Sequence, residues 1–292
     1  MLKQLTCVLA LAATPGFSET LTIDTATGAV DVPARPATVA VFDIAALDSL
    51  DALGVAPQGT VSKVYVDYLS TEGAATVGTL FEPDYEALAA LGPDLIIAGG
   101  RSAKVVPDLA KIAPTIDMTI WDDTVGEGLA RLMAYGEIFG QQEAAAALVA
   151  EFEAKLATLK DTAATSGTAL IVMTNGPKVS AFGSGGRFGW LHDATGLPEA
   201  VEAVEQTTHG EAISFEFIRE ANPDVLIVLD RLAAIGEAGD SAAVTLDNAL
   251  VRDTNAWKNG KVIYLDASPF YIAGGGIQSM IGTVDDLTNG LK

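Results

Sequence analysis

The chain predicts a two-lobed α/β fold with parallel sheets, and three observations carry that prediction. A block recurs at a constant offset of 130 residues: Glu86, Pro93, Asp94 and Arg101 return as Glu216, Pro223, Asp224 and Arg231. In each copy a short amphipathic helix ends at Pro-Asp and an apolar run follows, Leu95-Ile96-Ile97-Ala98 in the first and Val225-Leu226-Ile227-Val228-Leu229 in the second. A run that is apolar at every position reads as a strand buried on both faces, as in a parallel sheet between helix layers. Thirdly, strand and helix signals alternate from Val39 to Ile120, the pattern of parallel βαβ units. Ligands of open α/β sheets bind beyond the carboxyl ends of the strands. The repeat therefore predicts two similar lobes, each turning an arginine toward a shared cleft, an arrangement suited to an anion.

The elements follow in order. Lys3, the apolar stretch Leu5 to Ala13 and the small-residue site Gly16-Phe17-Ser18 read as a removable signal peptide over 1–18, with an apolar run too short to span a bilayer. Cys7, the only cysteine, lies inside it and is preceded by Leu5-Thr6 rather than by the small residues of a lipoprotein site. The mature protein is then expected to have no disulfide and no thiolate chemistry. Leu21 to Asp24 and Ala29 to Val32 flank Thr25-Ala26-Thr27-Gly28 as a hairpin, with glycine where the turn needs positive φ. Val39 to Phe42 reads as a buried strand, and Ala45 to Leu53 as a helix stopped by Gly54.

The segment Val125 to Thr162 is helical throughout, with a break at Gly140. Its second half carries Leu148, Phe152, Leu156 and Leu159 at helical spacing. A helix of about twenty residues spans about 30 Å, and its place between the two repeat copies predicts that it bridges the lobes; the alternative is a helix packed within one of them. The expected organisation is a signal peptide at 1–18, a first lobe at 19–139, an interlobe helix at 140–165 and a second lobe at 166–292, starting at Ala169-Leu170-Ile171-Val172.

Formal charge is −21, and −22 once Lys3 is removed with the signal, 16 Lys and Arg against 38 Asp and Glu. So acidic a surface argues against nucleic acid and anionic membranes as partners. The positions of the few basic residues carry the information. Arg101 and Arg231 stand at equivalent strand ends, and an arginine fork suits anionic oxygens; the alternative for each alone is a surface salt bridge. Arg187 lies in Phe182-Gly183-Ser184-Gly185-Gly186-Arg187-Phe188-Gly189, where glycines allow close backbone approach but the lysine and spacing of a phosphate loop are missing.

Of the two histidines, His209 precedes the helix expected from Ser214 to Ala221 and corresponds to Thr79 in the repeat. It is a candidate metal or ligand contact, or else a surface or capping residue. His192, at a helix start, reads as structural. Tyr271 sits in a loop expected after the strand Lys261 to Leu265. A phenolate is a hard oxygen donor that suits Fe(III); the alternative is a packed aromatic with its hydroxyl in water. No nucleophile elbow, H-E-x-x-H helix or Walker motif is present, so no catalytic residue is assigned.

At these residues the chain resembles the periplasmic binding proteins of the ferric-siderophore and vitamin B12 class, and most closely the branch that binds catecholate siderophores. The most specific matches are Ala181 to Gly189, His209-Gly210 with Ile213-Ser214-Phe215-Glu216, and Leu229-Asp230-Arg231 with Ile235-Gly236. The resemblance implies two Rossmann-like lobes joined by a single long α-helix, with the ligand cleft between them and little hinge motion. It implies that Arg101, Arg187 and Arg231 form a basic pocket for an anionic ferric catecholate. His209 and Tyr271 match the two protein ligands that fill the iron coordination sites left open by a tetradentate siderophore. Glu86 and Glu216 match the acidic pair that docks onto arginines of an ABC permease at the inner membrane; each also starts a helix, where negative charge complements the dipole. The expectation is a monomeric periplasmic receptor with no intrinsic cofactor, carrying a ferric siderophore. The rivals are a receptor for haem, cobalamin or a hydroxamate siderophore, an enzyme or assembly factor on the same scaffold, and an adhesion or scaffold role.

Overall fold

The computed structural model describes residues 19–202, 204 and 209–292. The expected signal segment with Cys7, and Thr207 and Thr208 beside His209, lie outside the described residues. The chain opens with the hairpin β1 (Thr20–Thr25) and β2 (Gly28–Pro33), closed at Thr25↔Gly28 with Gly28 at φ 106°. The strands β3 (Val39–Val41), β4 (Gly59–Thr60), β5 (Ala75–Thr76), β6 (Leu95–Ala98) and β7 (Thr115–Asp117) form one sheet in the order β5-β4-β3-β6-β7, parallel throughout. The strands β8 (Ala169–Asn175), β9 (Lys178–Phe182), β10 (Glu211–Ile213), β11 (Val225–Asp230) and β12 (Val262–Tyr264) form the other, in the order β10-β9-β8-β11-β12.

Helices α1 (Ile44–Ala52), α2 (Tyr85–Leu91), α3 (Val106–Leu109) and α4 (Thr124–Phe139) accompany the first sheet. Then α5 (Gln142–Ala163) leads to the second, which carries α6 (Trp190–Thr195), α7 (Phe215–Ala221), α8 (Arg231–Ile235), α9 (Ala242–Leu246), α10 (Ala249–Arg252), α11 (Asn255–Lys258), α12 (Ala267–Ile272) and α13 (Ile277–Leu291). Gly140 breaks the helical segment as expected, in the left-handed conformation at φ 69°. Phe152 and Leu159 of α5 are buried, whereas Leu148 and Leu156 are partly covered.

The repeated block does the same mechanical work in both lobes. Asp94 Oδ2 accepts from Thr38 N at 2.8 Å while Asp94 N donates to Thr38 O at 2.7 Å. In the second copy Asp224 Oδ2 accepts from Thr168 N at 3.0 Å, and Asp224 N donates to Thr168 O at 2.9 Å. Thr38 and Thr168 are themselves 130 apart. Each Pro-Asp thus ties the start of one central strand to the start of its neighbour, setting the β3–β6 and β8–β11 register. The preceding helices end alike, on Gly92 at φ 62° and Asn222 at φ 41°, the two residue types that best tolerate a left-handed cap.

Both apolar runs are buried on both faces. In the second lobe the strand period of two divides them: Ile171, Val225, Ile227 and Leu229 join the large core that continues into the first lobe, while Leu170, Val172, Leu226 and Val228 form a second core on the other face. Each fully buried Leu, Ile or Val is worth about 1.5–3 kcal/mol. The second sheet departs from a purely parallel arrangement: β9 runs antiparallel to β8 across the two-residue turn Gly176-Pro177, and β10 is antiparallel to β9.

The last helix returns to the first lobe. The buried Asp48 of α1 accepts from Gln278 N at 2.7 Å and Ser279 N at 3.1 Å, so a side chain of one lobe caps the N-terminus of α13. Ser49 Oγ takes Ile277 N at 3.3 Å, and the Tyr68 hydroxyl donates to Asp48 as well. Desolvation pushes the Asp48 carboxyl up to about 7, against the pull of those hydrogen bonds.

Candidate functional site

Three arginines converge on Tyr271 from separate parts of the chain. After β6 the backbone turns through Gly100 at φ 52° into a 3-10 turn over Gly100–Val105. That turn sends the Arg101 guanidinium across to the other lobe, where Nη2 donates to Tyr271 O at 3.1 Å and Nη1 to Ile272 O at 3.3 Å. Arg187 Nη2 donates to the same Tyr271 carbonyl at 2.8 Å. Its carbon Cζ stands 4.4 Å from the Tyr271 ring centroid, and that of Arg101 stands 5.5 Å away. Arg231 opens α8, directly after its Asp230 cap, and its Nη1 donates to Asn175 Oδ1 at 3.3 Å.

The acceptors of these guanidiniums are neutral. Among the described residues none of the three arginines forms a salt bridge; of the sixteen lysines and arginines there, Lys111, Lys155, Arg252 and Lys258 do, each with an aspartate. Desolvation and the charge of Arg101 lower the Arg187 pKa from its ordinary value, as expected where like charges gather in a partly buried site, while burial raises the Asp43 carboxyl and the charge of Arg101 opposes that rise. Burial raises the Tyr271 phenol, but hydrogen bonding to Arg231 and the charge of Arg187 outweigh it and bring the phenol below its ordinary value. The cluster therefore favours negative charge at its centre.

An aromatic wall backs it. Phe188 lies 4.7 Å from Phe182, 5.0 Å from Phe270 and 6.2 Å from Tyr271 between ring centroids, and Trp190 lies 6.2 Å from Phe270. The glycine-rich segment folds tightly against it: Gly186 N donates to Gly183 O and Gly189 N to Gly186 O, both at 2.9 Å. A Cβ on Gly189 would run into the carbonyl oxygens of Gly183 and Ser184, so close backbone approach explains this glycine.

The structure brings Arg101, Arg187, Arg231 and Tyr271 together. Tyr271 lies on α12 rather than in a loop: Pro269 falls in the first turn of that helix, where its missing N–H costs nothing. His209 is exposed and lies two residues before β10, a strand absent from the sequence reading, with Gly210 between them packed against Phe182. His192 is buried with Nδ1 2.9 Å from Leu197 O, in keeping with a structural role. Glu86 and Glu216 are exposed at the first turns of α2 and α7; the Glu216 carboxyl is held below its ordinary value by its own backbone amide and the Ser214 hydroxyl. Sequence reasoning missed Phe188, Phe270 and Asn175. The doublets Arg187-Phe188 and Phe270-Tyr271, each setting an aromatic beside a site residue, were the signal available for the first two.

Two α/β lobes with arginines gathered where they meet define a bilobal binding protein, and residues 39–269 match the model of the periplasmic binding protein family, to which this chain belongs. Among its relatives, the petrobactin-binding protein YclQ of Bacillus subtilis is 37% identical over 268 residues, spanning 89% of this chain and 84% of that protein. The crystal structure of YclQ aligns at TM-score 0.87 with 35% identity, covering 94% of this chain and 99% of the other. The ferric-anguibactin-binding protein FatB of Vibrio anguillarum is 35% identical over 88% of this chain and 83% of its own length. The periplasmic catecholate-siderophore binding protein VctP of Vibrio cholerae aligns at TM-score 0.86 with 31% identity, over 93% of this chain and 100% of that one.

Proposed function

We propose that this protein captures a ferric siderophore, of catecholate type and tetradentate, in the periplasm and delivers it as a monomer to an ABC permease. One observation carries the reading: three guanidiniums surround Tyr271 with only neutral hydrogen-bond acceptors. Such a cluster is electrostatically incomplete until an anion enters, and charge-assisted hydrogen bonds to anionic oxygens are roughly twice as strong as neutral ones. The names of YclQ, FatB and VctP point to the same ligand class.

Among the described residues no group of three or more His, Cys, Asp or Glu could hold a metal ion. Iron held here therefore takes most of its donors from the siderophore. In this reading a tetradentate catecholate leaves two octahedral positions, which the Tyr271 phenolate and the His209 imidazole fill. The lowered phenol pKa supports the first assignment, and the exposure of His209 leaves its ring accessible for the second. Glu86 and Glu216, one exposed carboxylate per lobe, meet the permease.

Tryptophan quenching tests the assignment, with Trp190 beside the aromatic wall as reporter. Ferric complexes of a tetradentate and a hexadentate catecholate are titrated into wild type, His209→Ala and Tyr271→Phe. Tight binding of both complexes by wild type is expected, with the variants weakened on the tetradentate complex by tenfold or more, about 1.4 kcal/mol, and little changed on the hexadentate one. Equal losses on both would remove the coordination role. No binding of either complex by wild type would move the reading to haem or cobalamin.

A further inference from the structure

A fourth cation reaches the other lobe, from a loop that no motif singled out. Lys63 follows β4, and its Nζ donates to Ile235 O at 3.1 Å in the second lobe. Nζ also stands 4.3 Å from the centroid of the Tyr65 ring. Ile235 ends α8, the helix that Arg231 begins. A five-residue helix is about 7 Å long, so Lys63 and Arg231 mark the two ends of one short helix at the cleft.

Two features mark Lys63. Its acceptor is a carbonyl at a helix C-terminus, where the dipole gives a partial negative charge; that is a weak resting place for a cation, readily exchanged for a full anionic charge. And Tyr65 beneath it holds φ at 69°, left-handed for a bulky residue. Such a conformation costs on the order of 1–3 kcal/mol and persists where its surroundings impose it, often at functional sites. Tyr65 packs its ring against the core, so the strained turn fixes an aromatic platform under a flexible ammonium.

We propose that Lys63, carried on Tyr65, is a fourth anion contact of the cleft: on binding, its ammonium leaves the Ile235 carbonyl for an anionic oxygen of the ferric complex. The inference rests on the ligand class proposed above. It makes the receptor sensitive to charge at the margin of the ligand, away from the arginine cluster, and so favours complexes with peripheral anionic oxygens over neutral ones.

The test compares wild type, Lys63→Gln, Lys63→Arg and Arg231→Gln by tryptophan quenching with an anionic ferric tetradentate catecholate and with an uncharged ferric hydroxamate, at low and high salt. Lys63→Gln is expected to lose about tenfold in affinity for the anionic complex, about 1.4 kcal/mol, with a shallower salt dependence and no change toward any hydroxamate binding; Lys63→Arg is expected to retain wild-type affinity. Wild-type affinity and salt dependence in Lys63→Gln, alongside a loss in Arg231→Gln, would overturn the role of Lys63 and leave the receptor reading standing. Absence of ferric catecholate binding by wild type would overturn both.

Discussion

The two copies of the repeated block share a framework and part company in the turn that carries the arginine. Both clamp neighbouring strands through Asp94 or Asp224, both end their helices on a left-handed residue, and both deliver an arginine 7 residues beyond the aspartate. The residue before that arginine differs: Gly100 in the first, Asp230 in the second. Gly100 takes φ 52° and starts a 3-10 turn, so Arg101 crosses to the other lobe. Asp230 stays extended, caps α8 through Ala233 N and also accepts from Ala242 N, so Arg231 stays against Asn175 of its own lobe. Strand framing and ligand aiming are thus separable: the Pro-Asp element builds the sheet, and the turn after it chooses where the charge goes.

The largest expected effect tests that separation. Arg101→Ala and Arg231→Ala should each weaken ferric catecholate binding by on the order of 100-fold, since each removes a charged donor from the cluster around Tyr271. Only Arg101→Ala should also lower the stability of the empty protein, by about 1–3 kcal/mol, because the Ile272 carbonyl of the opposite lobe loses this donor while Tyr271 O keeps only Arg187. Urea unfolding without ligand measures it; equal stabilities would break the contrast in aim. Next, Asp94→Ala and Asp224→Ala should each cost about 1–3 kcal/mol and leave affinity unchanged, if framing and binding are separate.

The second clamp carries a pH signature. Hydrogen bonds from Thr168 and Asn255 hold the Asp224 carboxyl below its ordinary value. Its contribution is present above the unfolded pKa and is lost as pH falls through the folded one, so Asp224→Asn should flatten the acid limb of stability. A further effect lies at the seam where α13 meets the first lobe. Asp48, facing Tyr68, Asp51, Ser49 and the first amides of α13, titrates near pH 7 in the folded protein. With the folded pKa raised, its contribution is full below the unfolded value near 4 and fades as pH rises through about 7. Melting temperature should therefore fall from pH 5 to pH 8 in wild type and less in Asp48→Asn; parallel curves would remove the carboxylate as the cause.

The block, the first hairpin and the break at Gly140 were legible in the sequence because each is a local pattern: an offset, a turn glycine, a 3.6-residue period. The arginine cluster was legible through the repeat and the glycine-rich segment. Other features needed contacts between distant parts of the chain. The reversal of β9 had a local cue in Asn175-Gly176-Pro177-Lys178, a two-residue turn between β-prone runs, but the apolar run of β8 reads equally as a parallel strand. Tyr271 was placed in a loop because α12 is only six residues long, too short for periodicity to register. The Asp48 cap joins residues about 230 apart, and Lys63 meets Ile235 across 172; no window over a single sequence holds such pairs.

The return of α13 to α1 has a mechanical consequence. A chain that crosses between its halves once can pivot about that crossing; one that crosses twice, with a buried carboxylate stitched into backbone amides at the second junction, behaves as a truss. Bending it would tear donors from Asp48 in a dry interior.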